Sequence, residues 1–175
     1  MGCIFYVIVS SILLGSCLGA YCQLYYSVKS IVCSWDVLMI HALEKRYALI
    51  SLAHLIGEED FQSKREIDFL LKCDKMPWRS FLKNSHDILP TFKEMEDLLP
   101  ERLQIFLKDL ENIQSEDQVI FYIENFWASK NLFDFEIFAY EQAVEKYVKL
   151  RQRMSLRLAC SLFRFLDLPV IQFSR

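Results

Sequence analysis

The first 28 residues, Met1 to Val28, contain no Asp, Glu, Lys or Arg, and no other feature restricts the fold of this chain as much. A hydrocarbon layer about 30 Å thick is crossed by about 20 apolar residues in a helix rising 1.5 Å per residue. The run from Cys3-Ile4-Phe5-Tyr6-Val7 to Leu24 has that length. Residues 3–24 are therefore expected to cross a bilayer as a helix, because a single segment in lipid must satisfy every backbone amide internally. A secretory signal would carry a basic start and a small-x-small cleavage site, and neither is present. Leu14-Gly15-Ser16-Cys17 loosely resembles a lipobox ahead of an acylated cysteine, again without the basic start. Tyr21, Tyr25 and Tyr26 fall where an interfacial aromatic belt would lie, and the first cations, Lys29, Lys45 and Arg46, all follow the span. That asymmetry places the body on the cytoplasmic side. The expected organisation is an anchor over 1–28 and a cytoplasmic helical domain over 29–175.

The body reads as all-α. Four Gly and four Pro in 175 residues leave few chain breaks, which favours long helices. Val28, Ile31, Trp35, Leu38, Ala42, Leu49, Leu52 and Ile56 recur at steps of three and four, with Lys45 interrupting the seam. The membrane helix thus continues as one rod to Gly57, followed by a turn at Glu58-Glu59-Asp60. A second helix is expected over Asp60 to Cys73, with Phe61, Ile67, Phe69, Leu70 and Leu71 inward and Lys64, Arg65 and Glu66 outward. Lys75-Met76-Pro77 ends it. Trp78 to Leu89, with Asn84-Ser85-His86-Asp87, reads as a loop with a helical turn. Pro90 to about Ile113 reads as helical, with a bend or a new start at Pro100. Ser115-Glu116-Asp117-Gln118 reads as a capping box. Beyond it Phe126, Phe133, Tyr140, Tyr147 and Met154 fall every seven residues, with Ile123, Ile137 and Val144 between them. This helix, about 38 residues and about 57 Å long, can pair antiparallel with the first rod. A break near Met154-Ser155 and a last helix from Leu156 to Leu166 complete an antiparallel bundle of about four helices.

The chemistry-bearing residue types are sparse. A net charge of -3 excludes a general nucleic-acid binder, which needs surplus cations to displace counterions. The six cysteines form no Cys-x-x-Cys pair and read as reduced, small apolar residues. His41 with Glu44, and His54 with Glu58, share helical faces, yet no His-Glu-x-x-His motif exists, so no metal site is expected. No phosphate loop or nucleophile elbow is present. No catalytic, cofactor-binding or metal-binding residue is assigned, and no cofactor is expected. Lys45-Arg46, in the middle of an apolar seam, is expected to pair with acids on a neighbouring helix, with partner recognition as the alternative. Arg151, Arg153, Arg157 and Arg164 flank Leu156, Leu158, Leu162, Phe163 and Phe165, a combination that either closes the core or lies on anionic lipid.

Two stretches carry a resemblance. Leu43-Glu44-Lys45-Arg46-Tyr47-Ala48-Leu49-Ile50 resembles the Leu-Lys-Arg-Arg-Tyr-Asp-Leu-Ile segment of LemA family proteins. Tyr140-Glu141-Gln142-Ala143-Val144 with Tyr147, then Leu158 and Leu162-Phe163-Arg164-Phe165, is similar to their Tyr-rich helix and Leu-Phe-Gly-Phe tail. The order of parts agrees along the whole chain. Departures occur at Trp35, one residue further from Tyr47 than in the pattern, at Ser51 and Ser155 in place of prolines, at Glu141 and Val148 in place of asparagines, and at Arg164 in place of a glycine. The resemblance implies a divergent member with a membrane helix and a bundle of long helices, and it brings no catalytic residues. The function expected is a non-enzymatic protein-interaction or scaffold module at a bacterial inner membrane, with an unidentified protein or a second copy as partner. The alternative is a membrane-shaping or lipid-contacting structural protein.

Overall fold

A computed structural model of the chain describes residues 2–55, 57–110 and 116–173. Its elements are five helices, α1 (Gly2–Leu55), α2 (Phe61–Cys73), α3 (Trp78–Leu110), α4 (Glu116–Gln152) and α5 (Met154–Phe163). No strand occurs among the described residues.

The first rod is continuous for 54 residues. Its first third is uncovered, with Ile4, Phe5, Tyr6, Ile12, Leu13, Leu14 and Leu18 all more than half exposed. From Leu24 onward the same helix is the central stave of the bundle, burying Leu24, Val28, Ile31, Trp35, Leu38 and Ala42 completely. α1 is thus one helix long and apolar enough to cross a membrane, and the qualifying stretch has none of its residues buried. The C-terminal end of α1 comes where Gly57 is found, at φ 76. Gly57 N–H bonds to the His54 carbonyl at 3.2 Å and Glu58 N–H to the Ala53 carbonyl at 3.0 Å. These two bonds satisfy terminal carbonyls, and the left-handed residue between them is tolerated because glycine has no Cβ.

α4 packs against α1 over most of its length, in the antiparallel sense. Glu44 meets Ser129, Trp35 meets Tyr140 and Tyr21 meets Phe163 just beyond α4. The heptad positions Phe126, Phe133, Tyr140 and Tyr147 are all buried, and Ile137 and Val144 fill the spaces between them. The pattern stops there, since Met154 is 84% exposed. The helix breaks at Arg153 (φ -65, ψ 129), so Met154 starts α5 instead of ending α4. α5 ends at Phe163, short of Leu166, on a left-handed Arg164.

α2 and α3 correct several sequence expectations. Asp60 caps α2 by accepting the Ser63 amide at 2.9 Å, so the helix starts one residue later than expected. Glu66 is buried, whereas Phe61 and Leu71 are exposed. α3 runs unbroken from Trp78, with Pro90 and Pro100 inside it. The stretch read as a loop is helical because Phe81, Leu82, Ser85, Ile88, Leu89 and Phe92 keep the three-and-four spacing and are all buried. The Ser85 hydroxyl donates to the Leu82 carbonyl at 3.0 Å, which lets a polar residue sit in the core. Each proline removes one backbone donor from α3. Thr91 Oγ1 bonds to the Asp87 carbonyl at 2.9 Å in the turn containing Pro90. The expected end of this helix at Ile113 and the capping box led by Ser115 lie outside the described residues.

Trp35 is the centre of the larger core. Its ring lies 4.9 Å from Phe92, 5.4 Å from Phe81 and 6.0 Å from Tyr140, and its Nε1 donates to the Cys73 carbonyl at 3.3 Å. Phe173 of the C-terminal tail packs on Phe92 at 5.8 Å. At the opposite end of that core, Tyr21, Tyr25, Trp78, Phe163 and Phe165 form an aromatic cluster where the uncovered part of α1 leaves the bundle.

Candidate functional site

The polar feature that stands out from this core is a network of five buried or nearly buried charged side chains, Lys45 and Arg46 from α1, Glu66 from α2, and Glu96 and Arg102 from α3. Each helix delivers its members at seam positions. Lys45 and Arg46 lie between Ala42 and Leu49, Glu66 between Ser63 and Leu70, and Glu96 between Phe92 and Leu99. Lys45 Nζ bonds Glu96 Oε2, and Arg46 Nη1 bonds Glu96 Oε1. Arg46 Nε reaches Glu66 Oε2 at 2.9 Å. Arg102 Nη2 grips both oxygens of Glu66 at 2.8 and 2.7 Å, and its Nη1 donates to Ser63 Oγ at 3.2 Å. The Arg46 side chain also reaches back to the Ala42 carbonyl at 3.2 Å. Three helices are joined through two carboxylates, a fixed geometry that bidentate guanidinium groups suit.

Three cations meet two carboxylates in the network, with Asp134 a further negative charge near Lys45, and burial is the largest influence on the protonation of Lys45 and Glu96. Burial pushes the Lys45 ammonium down to about 8 from its ordinary 10.5, and neighbouring Arg46 works in the same direction against Glu96. The Lys45 ammonium also sits 3.4 Å from the centre of the Phe133 ring, whose face is electronegative. For Glu96, burial alone would raise the carboxyl, but the charges of Arg46 and Lys45 and their hydrogen bonds outweigh it and hold it below the ordinary glutamate value. Arg46 Nη2 and Arg102 Nε are buried without a hydrogen-bond partner. A cleft of about 240 Å³ opens beside the network, lined by Lys45, Glu96, Lys130, Asp134, Phe126 and Phe133.

The expectation that Lys45 and Arg46 pair with acids on neighbouring helices agrees with this arrangement. Their partners are hidden in the sequence, for Glu66 stands between charged neighbours that suggest an outward face, yet it is buried, and Glu96 follows Met95 on a helix whose inner side reads as wholly apolar. The usable signal was register, since Glu96 occupies a slot in the apolar stripe of α3. His41 Nδ1 meets Glu44 at 2.9 Å as an isolated pair near the surface, and Ser129 Oγ bonds the same Glu44 oxygen at 3.0 Å. His54 and Glu58 are exposed at the end of α1. No group of three or more His, Cys, Asp or Glu side chains able to hold a metal occurs among the described residues.

Of the C-terminal residues singled out, Leu156 and Phe165 are buried, while Leu158 and Leu162 are 83% and 68% exposed. Arg151 pairs with Asp167, and Arg153, Arg157 and Arg164 are exposed. Tyr147 Oη donates to the Leu166 carbonyl at 2.6 Å and ties the tail to α4. No family model matches the chain, and searches of curated proteins and of solved structures return no match.

Proposed function

We propose that this chain is a membrane-anchored helical scaffold of the LemA type, non-enzymatic, set in a bacterial inner membrane with its body on the cytoplasmic side. The observation that carries the reading is α1, whose first third is apolar and uncovered while the remainder is the central stave of the bundle. Inside lipid, the exposed Ile4 to Leu18 would lose the cost of contact with water, which is large for so many apolar side chains. The ionic groups in the core act as structural ties among α1, α2 and α3. Left-handed Arg164 stands where the LemA tail has glycine, the residue that adopts this backbone without strain, and this supports the likeness.

A partner surface is offered by the outer face of α4. Ile120, Phe121, Trp127, Leu132, Phe135 and Phe138 are each 45% exposed or more. At 100° per residue they fall in a band of about 140° opposite the buried heptad face. Apolar area of this extent on one helix is characteristic of a binding face, and tethering raises its effective concentration beside the bilayer. Alkaline carbonate extraction of the native membrane tests the anchor, since the full chain is expected in the pellet and a chain lacking residues 1–18, the uncovered stretch, in the supernatant. Proximity labelling with both forms then identifies partners that depend on tethering. Full-length chain in the carbonate supernatant would sink the reading. A second reading, a lipid-contacting structural protein, is favoured by the exposed Met154, Leu158 and Leu162 of α5.

A further inference from the structure

The uncovered part of α1 leaves the bundle at the end where α4 stops at Gln152 and α5 packs on both α1 and α4. The elbow between α4 and α5 forms a cleft of about 540 Å³ whose polar lining is Arg151, Gln152, Arg157, Ser161, Arg164 and Asp167. Three guanidinium groups stand there against one carboxylate. Asp167 is engaged by Arg151 Nη1, yet Arg151 Nε is buried with no hydrogen-bond partner. Arg157 and Arg164 have no ion-pair partner among the described residues. The cleft therefore has a net positive charge and two exposed guanidinium groups free of ion pairs among the described residues, the chemistry that receives a phosphate oxygen.

The same helix supplies an apolar element. Met154, Leu158 and Leu162 recur every four residues and are 84%, 83% and 68% exposed, while Leu156, Ala159 and Cys160 on the other side are buried. A soluble anion has no use for such a stripe. A phospholipid has both a phosphate and acyl chains, and a short helix with an apolar face and cationic rim is suited to the bilayer interface. We propose that the α4–α5 elbow binds the phosphate of an anionic phospholipid headgroup, with Met154, Leu158 and Leu162 resting among the acyl chains of the bilayer that α1 enters. This rests on reading α1 as a membrane helix.

The test titrates the full chain, in an uncharged detergent, with phosphatidylglycerol, phosphatidylcholine or inorganic phosphate, and native mass spectrometry counts bound ligand. Two guanidinium groups facing a net-negative headgroup are expected to favour phosphatidylglycerol over phosphatidylcholine several-fold. Arg157→Gln with Arg164→Asn is expected to remove that preference, asparagine being tolerant of the left-handed backbone. Arg157→Lys with Arg164→Lys should keep most of it, which separates loss of charge from loss of fold. Leu158→Ser with Leu162→Ser should weaken both lipids while leaving the preference. Equal affinity for the two lipids, a preference that survives removal of both charges, or inorganic phosphate binding as tightly as phosphatidylglycerol would each overturn the proposal. Carbonate extraction from vesicles tells the two failures apart, for a chain that stays embedded without lipid preference refutes the elbow alone, whereas a released chain refutes the membrane helix as well.

Discussion

Replacing Glu96 with glutamine keeps the shape of the buried network and removes the charge that Lys45 and Arg46 share. Two costs follow. Arg46 cannot shed its proton, and its Nη2 already lacks a partner, so it becomes less compensated in the core. Breaking a buried ion pair from one side typically costs about 3–5 kcal/mol. Lys45 can escape by deprotonating, which caps its share. In the parent its folded value is about 8 against 10.5, and at pH 7 complete neutralisation adds only about 1 kcal/mol to the cost already present. A total near 4 kcal/mol corresponds to a fall in Tm of roughly 10 °C for a body of this size. The pH dependence has a definite sign. The unfolded chain holds the Lys45 proton to 10.5 and the folded chain only to about 8, so this group's contribution to stability rises with pH across that window. In the variant the rise begins lower, and the Lys45 part of the deficit, about 1 kcal/mol at pH 7, vanishes by about pH 9. Adding Lys45→Met removes the buried ammonium beside Arg46, so the double variant should lose less than the sum of the two single changes. Thermal unfolding of the full chain in detergent, followed by near-UV circular dichroism at pH 7 and 9, measures all of this. A fall in Tm below about 3 °C, or a double variant whose losses simply add, would refute the network as a mutually dependent unit.

Other outcomes can be checked by the same unfolding assay. Gly57→Ala should cost about 1 kcal/mol, because the φ of 76 is retained by the two capping hydrogen bonds and strains any Cβ. Burial and the nearby Asp74 raise the Asp36 carboxyl, while Lys75 opposes them, so Asp36→Asn should stabilise the protein at pH 7 by less than about 1 kcal/mol after solvent screening, with the gain lost as acid protonates the parent Asp36. Trp35→Ala removes the ring shared by Phe81, Phe92 and Tyr140 and should cost about 3–5 kcal/mol, a fall in Tm of roughly 10 °C. Phe135→Asp, at a side chain 71% exposed, should leave Tm within a few degrees and reduce partner labelling on α4, and unchanged labelling would count against that face.

The long elements were legible because their periodicities are long. α1 repeats its seam over seven buried positions from Val28 to Leu52, with the eighth, Ile56, outside the described residues, and α4 repeats an aromatic heptad from Phe126 to Tyr147. The errors arise where one residue type argues against its surroundings. Pro90 and the run Asn84-Ser85-His86-Asp87 suggest a loop, but Ser85 satisfies its hydroxyl within its own turn and the apolar residues around it keep step. Met154 fits the heptad by number and misses it in space, because Arg153 leaves helical geometry one residue earlier. The charged network was half visible. Lys45 and Arg46 interrupt an apolar seam, whereas Glu66 sits among Lys64 and Arg65 and looks solvated. Pairing it with Arg46 and Arg102 needs α1, α2 and α3 side by side, which local sequence does not specify.

The unbroken α1 has a mechanical consequence. With no hinge between the exposed apolar third and the buried stave, the body cannot swivel independently of that apolar third. About 35 residues separate Ala20 from Leu55, or roughly 50 Å of helix, so a 10° change of lean at the bilayer would sweep the distal tip sideways by about 9 Å. Hydrophobic stretches longer or shorter than the local bilayer accommodate by leaning. Bilayer thickness would thereby set the height and angle at which the outer face of α4 meets whatever approaches it.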